Sequence, residues 1–511
     1  MCKEKIELRK KISKKYKLKV MNKSDVIIGE SIFLKYLSDT MDMPVAQLKE
    51  IRGKRTDVAL KKIIFPYVSF VEPGFQKLMR LMQETVSSSQ FLRNFVENMD
   101  TRLSTNELFD KFRDNNIRVQ RIAQQKKSFS FSVQYNNIQI DYGVGGIHGC
   151  VKPGVYQSNF THGILDIDVK SYYPNLFIQN RLHPKQMDQD TFIKVYSDIF
   201  QERVKAQKEG DKLTSDALKL ALNGLFGKTG SDVSCFYDPN VFFAVTVNGQ
   251  LLLTMLVERL VRQGASLLQV NTDGVTILYS YLLQDDIIKI CKEWEVLTNL
   301  QLETVKYDKM IIGDVNNYIA VFKEKEVDKE TYESMKKKTP HFVYRENNGK
   351  YYVKTTKCKG RFEFSDLPLH KNKSALIVPK AIYYFFIHNV APEIFIQQNR
   401  NIFDYCIGVK RKGDWIFMET CFIKGVRHDR ELQGVVRYYV SNKGCKLIKV
   451  NKADGRETRL EAGKWLQTEF NLYEIKPWDN YDVNDEYYLE RVYKEIENIS
   501  KLKEKSQLSL F

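Results

Sequence analysis

The stretch Ile164-Leu-Asp-Ile-Asp168-Val-Lys-Ser-Tyr-Tyr-Pro174 decides how this chain is interpreted. Its apolar first half predicts a buried strand, and Pro174, which cannot donate to a sheet ladder, predicts that the strand ends before a helix. Asp168 therefore lies at a strand end, where its carboxylate and the next backbone carbonyl, that of Val169, suit a hard cation such as Mg²⁺. A strand-terminal Asp is also a common turn residue, so the motif alone leaves a purely structural role open.

A second motif, Lys219-Leu-Ala-Leu-Asn223-Gly-Leu-Phe226-Gly227, begins 51 residues after Asp168. On a helix, its cation, amide and aromatic ring share one face, which suits a triphosphate and a base pair. Two glycines in a helix each cost about 1 kcal/mol relative to alanine, so they favour a functional role in which a base or sugar packs against the helix. We predict this helix over residues 215–226 with Thr214 as its N-cap, after another helix over residues 191–208.

A third motif, Asn271-Thr-Asp273-Gly274, lies between two β patterns and predicts a hairpin with Asp273 at its tip. Such a tip can carry a second metal-binding carboxylate, although Asp-Gly hairpins are common in proteins without one. Residues 142–149, which contain four glycines, predict either a phosphate-binding loop or a tight structural turn. The three motifs are stronger together, because they occur in the order acidic strand, basic helix, acidic hairpin.

In that order the motifs resemble those of family B DNA polymerases, of the compact kind found in phage genomes. Residues 168–174 resemble Asp-x-x-Ser-Leu-Tyr-Pro, residues 219–227 resemble Lys-x-x-x-Asn-Ser-x-Tyr-Gly, and residues 271–274 resemble Asp-Thr-Asp-Ser. The resemblance extends from about residue 142 to residue 360. It implies an α+β right-hand fold with an antiparallel-sheet palm, two-helix fingers and a mixed thumb.

The resemblance also implies roles for individual residues. Asp168 and Asp273 would be catalytic and, with the Val169 carbonyl, would bind two Mg²⁺ ions, for which Mn²⁺ could substitute. Tyr173 would be a steric gate that rejects a 2′-hydroxyl. The implied dNTP-binding set is Ser171, Tyr172, Tyr173, Arg203, Lys219, Asn223 and Phe226. The implied primer–template set is Gly145, Gly146, Thr272, Tyr318, Lys357, Lys359 and Gly360.

Several departures from the family pattern change what we expect. Asn271 replaces an acid, so metal affinity should differ from that of the family. Residues 315–318 resemble the family's primer-binding strand, Lys-Lys-Arg-Tyr, but keep only the tyrosine, Tyr318, and none of the three cations. Residues 1–150 contain no recognisable Asp-x-Glu strand of a proofreading exonuclease, which predicts a polymerase without its own proofreading and leaves room for a separate exonuclease chain. The 51-residue gap between the first two motifs disfavours protein priming.

Composition agrees with a nucleic-acid partner. The 511 residues carry a net charge of +17 and a pI of about 9.2, which points to a polyanion. The eight cysteines include no Cys-x-x-Cys pair, so they indicate reduced structural thiols rather than a zinc or iron–sulfur site. We expect a cytoplasmic protein of a bacterial or infected cell without a membrane segment, since the best apolar run, residues 377–387, is broken by Lys380.

The sequence ends in Gln507-Leu-Ser-Leu-Phe511, which resembles the pentapeptide that docks on the bacterial sliding clamp. Exposed apolar side chains on a tail are unfavourable without a partner, although a frayed terminus is the simpler alternative. The implied clamp contacts are Gln507, Leu508, Leu510 and Phe511. Tethering of this kind would raise processivity through effective concentration.

The predicted organisation has six regions. They are a basic helical region (1–128), palm (129–187), fingers (188–228), palm (229–370, with a charged insertion at 323–350), thumb (371–500) and a flexible tail (501–511). Two other functions stay open. One is a reverse transcriptase or primase-polymerase, against which Gly274 in place of a second acid and Tyr173 as a gate both argue. The other is a non-catalytic, clamp-tethered nucleic-acid-binding protein, which the presence of both aspartates and Lys219 disfavours.

Overall fold

The computed structural model describes residues 2–54, 57–87, 113–114, 117–121, 130–364, 374–469 and 475–500. The fold is mixed α+β with antiparallel sheets, as the sequence predicts. The chain divides into two compact units. The first unit comprises Met1–Val151 and Ser158–Lys306, and the second comprises Lys152–Gln157 and Tyr307–Phe511.

The first unit contains the predicted helices of the basic N-terminal region and of the second motif. The α-helices are α1 Cys2–Tyr16, α2 Asp25–Met41, α3 Val45–Glu50, α4 Pro73–Gln83, α5 Tyr172–Gln179, α6 Gln189–Lys208, α7 Lys212–Thr229, α8 Pro239–Arg262 and α9 Gln284–Thr298. The predicted N-cap of α7 is wrong. Asp211 caps the helix by accepting the Thr214 backbone N–H at 3.0 Å, and Thr214 lies buried within the first turn.

The strands of the first unit form one long antiparallel sheet and one short pair. The short pair is β1 Val58–Ala59 with β2 Val86–Ser87. The strands of the long sheet are β3 Arg113–Asp114, β4 Ile117–Arg121, β5 Ser130–Tyr135, β6 Ile138–Gly143, β7 Gly146–Cys150, β9 His162–Val169, β10 Ser266–Val270 and β11 Gly274–Ser280. Their order in the sheet is β9-β11-β10-β7-β6-β5-β4-β3. The intervening strand β8, Gly154–Gln157, belongs to the second unit. The strands β5 and β6 form a hairpin, with Asn136 at a φ of 52° in its turn.

The helix α8 is the core helix of the first unit. It is the one helix among the described residues that is long and apolar enough to cross a membrane, and 83% of its apolar window is buried inside the protein. Its buried polar groups bind the segment before α4. Asn248 accepts the Phe65 N–H at 2.8 Å, and Glu258 accepts the N–H groups of Val71 and Glu72 at 2.9 and 2.7 Å. These partners are what buried polar groups require in a protein core.

The N-terminal helix α2 packs directly on α7. A Cβ on Gly29 would lie 2.1 Å from the Leu220 carbonyl oxygen, and one on Gly224 would lie 3.4 Å from the Val26 carbonyl oxygen. The two backbones therefore meet with no room for a side chain at Gly29. Gly224, which the sequence interpretation assigned to a base or sugar, is buried against α2 instead.

The second unit begins with a sheet in the order β17-β13-β12, to which β8 adds beside β12. Its strands are β12 Leu302–Asp314, which starts in the first unit, β13 Asn317–Phe322 and β17 Thr356–Cys358. The charged insertion is folded rather than irregular. It contains β14 Lys325–Val327, α10 Lys329–Lys338, β15 Val343–Asn347 and β16 Lys350–Lys354, with Tyr332 of α10 buried.

The remainder of the second unit is mixed α and β, as predicted. Its helices are α11 Ile377–His388, α12 Pro392–Gln398, α13 Ile402–Tyr405 and α14 Asp485–Ser500. One sheet orders β18 Ile407–Lys410, β21 Val435–Ser441 and β24 Trp465–Thr468, and another orders β20 Val426–Glu431, β19 Trp415–Ile423, β22 Lys446–Asn451 and β23 Glu457–Arg459. Short 3₁₀ turns cover Leu60–Lys62, Tyr281–Leu283, Gly360–Phe362 and Trp478–Asn480.

The expectation that all cysteines are reduced is wrong for one pair. Cys421 at the end of β19 and Cys445 just before β22 form a disulfide. The β19–β22 register pairs Thr420 with Lys446, which brings these two cysteines opposite each other. Four of the other described cysteines, 235, 291, 358 and 406, have free thiols.

Candidate active site

Asp168 and Asp273 are brought together by the pairing of β9 with β11. Asp168 lies opposite Gly274 in the register, and the Val169 N–H donates to the Asp273 carbonyl at 2.7 Å. The two aspartates therefore lie on neighbouring stretches of backbone at one end of the two strands. Asp273 is exposed and Asp168 is half-buried.

Gly274 makes room for the Asp168 carboxylate. A Cβ on Gly274 would lie 2.0 Å from Asp168 Oδ1 and 2.8 Å from the Ile167 carbonyl oxygen, so a side chain there would force these groups to shift. The tip of the hairpin is the pair Thr272-Asp273, closed by the Asn271 N–H that donates to the Gly274 carbonyl at 2.8 Å. Gly274 is thus the first residue of β11 rather than part of the turn that the sequence predicts. The absence of a side chain at Gly274 leaves room for the Asp168 carboxylate.

A sharp change of direction follows Asp168. Ser171 adopts a left-handed conformation, with φ 48° and ψ 52°, which costs a non-glycine residue about 1 kcal/mol. The helix α5 begins at the next residue. Its first side chain, Tyr172, is buried and donates to the Gly249 carbonyl of α8 at 2.5 Å. That contact fixes the start of α5 and leaves Tyr173 beside the aspartates.

The ring of Tyr173 belongs to an aromatic row that reaches α7 and α8. Its centroid lies 4.7 Å from that of Phe226, which stacks on Phe242 at 5.2 Å. Burial, with a further contribution from the Asp273 charge, raises the pKa of Tyr173 to about 12. The hydroxyl is therefore neutral at physiological pH, and the Asp273 carboxylate lies within electrostatic range of it.

The predicted nucleotide-binding cations lie on α6 and α7. Arg203 donates from Nη1 to Ser171 Oγ at 3.4 Å, while its Nε is buried without a hydrogen-bond partner. Burial lowers the pKa of Arg203, against the opposing effect of Asp216. Lys219 and Asn223 are both exposed on one face of α7, as the helical spacing predicts.

The glycine-rich stretch is a tight hairpin that touches the tip of the β10–β11 hairpin. Gly146 has a φ of 139°, and a Cβ there would lie 2.7 Å from Thr272 Oγ1. A Cβ on the exposed Gly145 would meet nothing within 4 Å. The sequence interpretation missed His148, whose Nε2 lies 3.3 Å from the same Thr272 Oγ1. Burial lowers the pKa of His148, with Asp141 acting in the opposite direction.

The donor set around Asp168 is chemically suited to Mg²⁺. Two carboxylates and the neighbouring carbonyl of Val169 are hard oxygen ligands, and Mg²⁺ sites in proteins typically use one or two carboxylates and leave the remaining positions to phosphates and water. The half-buried Asp168 carboxylate occupies the space that the missing side chain of Gly274 leaves. In the described part of the chain, the one tight group of three metal-ligating side chains is Glu419, Cys421 and Cys445, and its cysteines are joined in the disulfide.

The remaining predicted contacts lie in the second unit or outside the described residues. Tyr318 and Lys359 are joined by a backbone hydrogen bond of 2.9 Å. Lys357 lies 5.9 Å from the centroid of the Tyr307 ring. Gly360 has a φ of 63°, and a Cβ there would collide with the Asn316 carbonyl, so this turn requires glycine. Residues 507–511 lie outside the part that the structure describes.

Comparison with known proteins gives partial matches. No protein-family model matches the sequence. The chain is 29% identical over 129 residues to DNA polymerase 1 of Saccharolobus solfataricus. The aligned segment covers 25% of this chain and 14% of that protein. It is 22% identical over 149 residues to DNA polymerase II of Escherichia coli, covering 25% of this chain and 18% of that protein.

Among solved structures, the family B DNA polymerase from Pyrobaculum calidifontis aligns at a TM-score of 0.36 and 14% identity, covering 69% of this chain and 46% of that chain. In the two sequence comparisons, the aligned segments span less than a fifth of the length of each curated relative. This chain is distantly similar in sequence to DNA polymerases.

Proposed function

We propose that this chain is a template-directed DNA polymerase that extends a primer by two-metal-ion nucleotidyl transfer. The observation that carries the proposal is the pairing of Asp168 with Gly274 beside Asp273, which brings together two acids separated by about a hundred residues of sequence. The distant similarity to DNA polymerases supports the same reaction. In this proposal unit 1 supplies the palm around β9–β11 and the fingers α6 and α7, and unit 2 supplies the rest of the palm (307–370) and the thumb (371–500).

The residues have distinct tasks in the proposed reaction. Asp168, Asp273 and the Val169 carbonyl would hold Mg²⁺ or Mn²⁺, and the bound ions would activate the primer 3′-hydroxyl and neutralise the triphosphate. Lys219, on the exposed face of α7, and Arg203 would bind the triphosphate as cations. Asn223 lies one turn beyond Lys219 and would contact the nascent base pair.

Tyr173 would select the sugar of the incoming nucleotide. Its ring is held against Phe226, so it cannot swing away to admit a 2′-hydroxyl without breaking the aromatic contact. This packing favours dNTPs over NTPs, and therefore a DNA polymerase over a primase-polymerase. The proposed partners are primer–template DNA, dNTPs, a bacterial-type sliding clamp at residues 507–511 and a separate chain for proofreading.

The test is primer extension by Asp168→Asn and Asp273→Asn variants, which keep side-chain size and remove the metal-binding charge. Each should lower extension at least a thousandfold, about 4 kcal/mol of transition-state stabilisation, while duplex binding persists. The matched control is Asp190→Asn, an exposed acid in the first turn of α6, which should extend normally. Near-normal extension by either active-site variant would refute the assignment.

The same assay separates the alternatives. Wild-type protein is offered DNA and RNA templates, each with dNTPs and with NTPs. Extension on DNA with dNTPs is the expected result, and preference for NTPs would overturn the choice in favour of a primase-polymerase. A 3′-mismatched primer should stay intact in the absence of dNTPs, because the proposed enzyme has no proofreading activity of its own.

A further inference from the structure

A basic cavity of about 630 Å³ lies within the second unit, next to the turn of Gly360, and its lining includes none of the residues assigned above. Its wall comes from the turn before β8, the β12–β13 end of the sheet, the turn after β17 and the helix α14. The lining residues are Lys152, Pro153, Gly313, Arg361, Arg491, Lys494, Glu495, Asn498 and Ile499. Four of these carry a positive charge and one carries a negative charge.

Arg361 is held firmly in the wall of this cavity. Its guanidinium forms an ion pair with Glu495 of α14, and its backbone N–H donates to Asn317 Oδ1 at 2.8 Å. A Cβ on Gly313 would lie 2.7 Å from Arg361 Nη2, so the glycine lets the guanidinium lie against the sheet backbone. The Arg361 Nε is buried and has no hydrogen-bond partner. The ion pair and the close contact with Gly313 fix the guanidinium in place, and a fixed guanidinium is suited to bind an oxyanion.

The helix α14 adds further donors along one face. Arg491, Lys494 and Asn498 are spaced by three and four residues, share that face and are exposed. Arg491 donates to the Tyr487 hydroxyl at 2.6 Å and lies 5.3 Å from that ring, so it is positioned rather than free to rotate. Two cations and an amide therefore face the same opening as Arg361.

The charge balance of the cavity selects the kind of ligand. Its single carboxylate, Glu495, is already paired with Arg361, and burial raises the pKa of Glu495. Lys152, Arg491 and Lys494 leave an excess of positive charge that only an anion can neutralise. Arginine with an amide donor matches the tetrahedral oxygens of phosphate, and nucleic acid is the phosphate source that a chain of net charge +17 would meet most often.

We propose that this cavity is a phosphate-binding site that takes a backbone phosphate of duplex DNA, with Arg361, Arg491 and Lys494 as its cations. The choice of DNA as the phosphate source rests on the proposed polymerase function. The site would add affinity that does not depend on base sequence, because phosphate contacts position a duplex without reading its bases.

The test measures binding of a fluorescein-labelled primer–template duplex by anisotropy over a range of salt concentrations. The double variant Arg491→Gln/Lys494→Gln should weaken binding at least tenfold and reduce the salt slope by about 1. Glu495→Gln should strengthen binding at least twofold, because it removes the one negative charge that faces the phosphate. The control is Lys452→Gln, an exposed cation of the same unit that does not line the cavity.

Double-variant binding equal to that of the control, or weaker binding by Glu495→Gln, would overturn the proposal. A second arm titrates inorganic phosphate and dATP by calorimetry. If the double variant loses these ligands but keeps wild-type duplex affinity, a free phosphate compound is the ligand and the DNA assignment is wrong. Failure of the polymerase proposal is separate, since it would appear as absent primer extension by wild-type protein that still binds the duplex through this cavity.

Discussion

Gly274, which has no side chain, determines where the carboxylate of Asp168 can lie on the neighbouring strand. Its α-carbon lies where any Cβ would be 2.0 Å from Asp168 Oδ1. A substitution there must displace either the carboxylate or the pairing of β9 with β11. The activity proposed for Asp168 is therefore tied to the residue opposite it, in addition to its own chemistry.

We expect Gly274→Ala to lower primer extension at least a hundredfold, because the new methyl group forces the Asp168 carboxylate out of position. Steady-state incorporation of a single dNTP measures this effect, with circular dichroism to verify folding. Gly143→Ala is the control, because a Cβ at Gly143 would meet nothing within 4 Å. Equal loss in both variants, or none in Gly274→Ala, would contradict the proposed role.

His148 predicts a pH dependence of stability. Burial lowers its pKa below the usual value of 6.5, so between these two pKa values the unfolded chain binds more protons than the folded chain. The stability contribution is thus present above pH 6.5 and is lost as the pH falls through the folded pKa. Urea unfolding at pH 7.5 and 5.5 should show a smaller decrease for His148→Gln than for wild-type. An identical decrease in both would show that His148 does not titrate as described.

At the residue scale, the sequence identifies the acids but not their surroundings. Asp168 and Asp273 are recognisable because a strand end and a hairpin tip are local patterns. The role of Gly274 and the contact of His148 with Thr272 depend on which strands pair and in what register. Register between segments a hundred residues apart is not encoded in either segment alone.

At the scale of elements, the contact of α2 with α7 explains why a helix in the proposed fingers carries glycine. Helix backbones can approach closely only where side chains are absent, and Gly29 meets the carbonyl of Leu220. The Phe33 ring of α2 adds contacts with Phe192 of α6 and with Phe236, at centroid distances of 5.4 and 5.5 Å. The N-terminal helix α2 therefore supports α6 and α7.

We expect Gly29→Ala to destabilise the first unit by about 2 kcal/mol, typical of overpacking in a close contact. Thermal unfolding followed by circular dichroism measures the shift. Gly227→Ala lies on the same pair of helices at an exposed position where a Cβ meets nothing within 4 Å. It should raise stability by up to about 1 kcal/mol, the usual difference between alanine and glycine in a helix. A lower Tm for Gly227→Ala than for Gly29→Ala would refute the packing argument.

The sequence predicts the positions of helices better than it predicts their exact ends and their packing partners. The helices α6 and α7 appear within a few residues of the expected bounds. The N-cap of α7 was placed at Thr214 instead of Asp211 because both residues are good caps and lie three positions apart. The packing role of Gly224 could not be predicted, since its partner α2 lies nearly two hundred residues earlier in the chain.

For the whole molecule, the clamp-binding tail stays a prediction. Deletion of residues 507–511 should shorten the products made in the presence of a bacterial sliding clamp several-fold, because a tethered enzyme rebinds its primer at high effective concentration. Single-nucleotide incorporation without clamp should be unchanged. Undiminished clamp binding by the truncated chain, measured by surface plasmon resonance, would exclude the tail as the docking element.

Contacts between distant segments of the chain are the features that the sequence predicts least well. The link between Cys421 and Cys445 follows from the alignment of β19 with β22, which composition cannot show. Most charged side chains of the insertion at residues 323–350 are exposed, as its charge suggests, yet Tyr332 supplies it with a buried ring. One aromatic among many charges is too weak a pattern to predict a folded element.

The path of the chain through its two units has a consequence for dissection of the gene. The strand β8, Gly154–Gln157, belongs to the second unit and pairs with β12, yet it is encoded between two strands of the first unit. A stop codon after Lys306 would leave β8 on the upstream product, and a start codon at Tyr307 would give a downstream product without it. Neither half-gene encodes a whole second unit, so separately expressed halves should recover that sheet only when both products are made in the same cell.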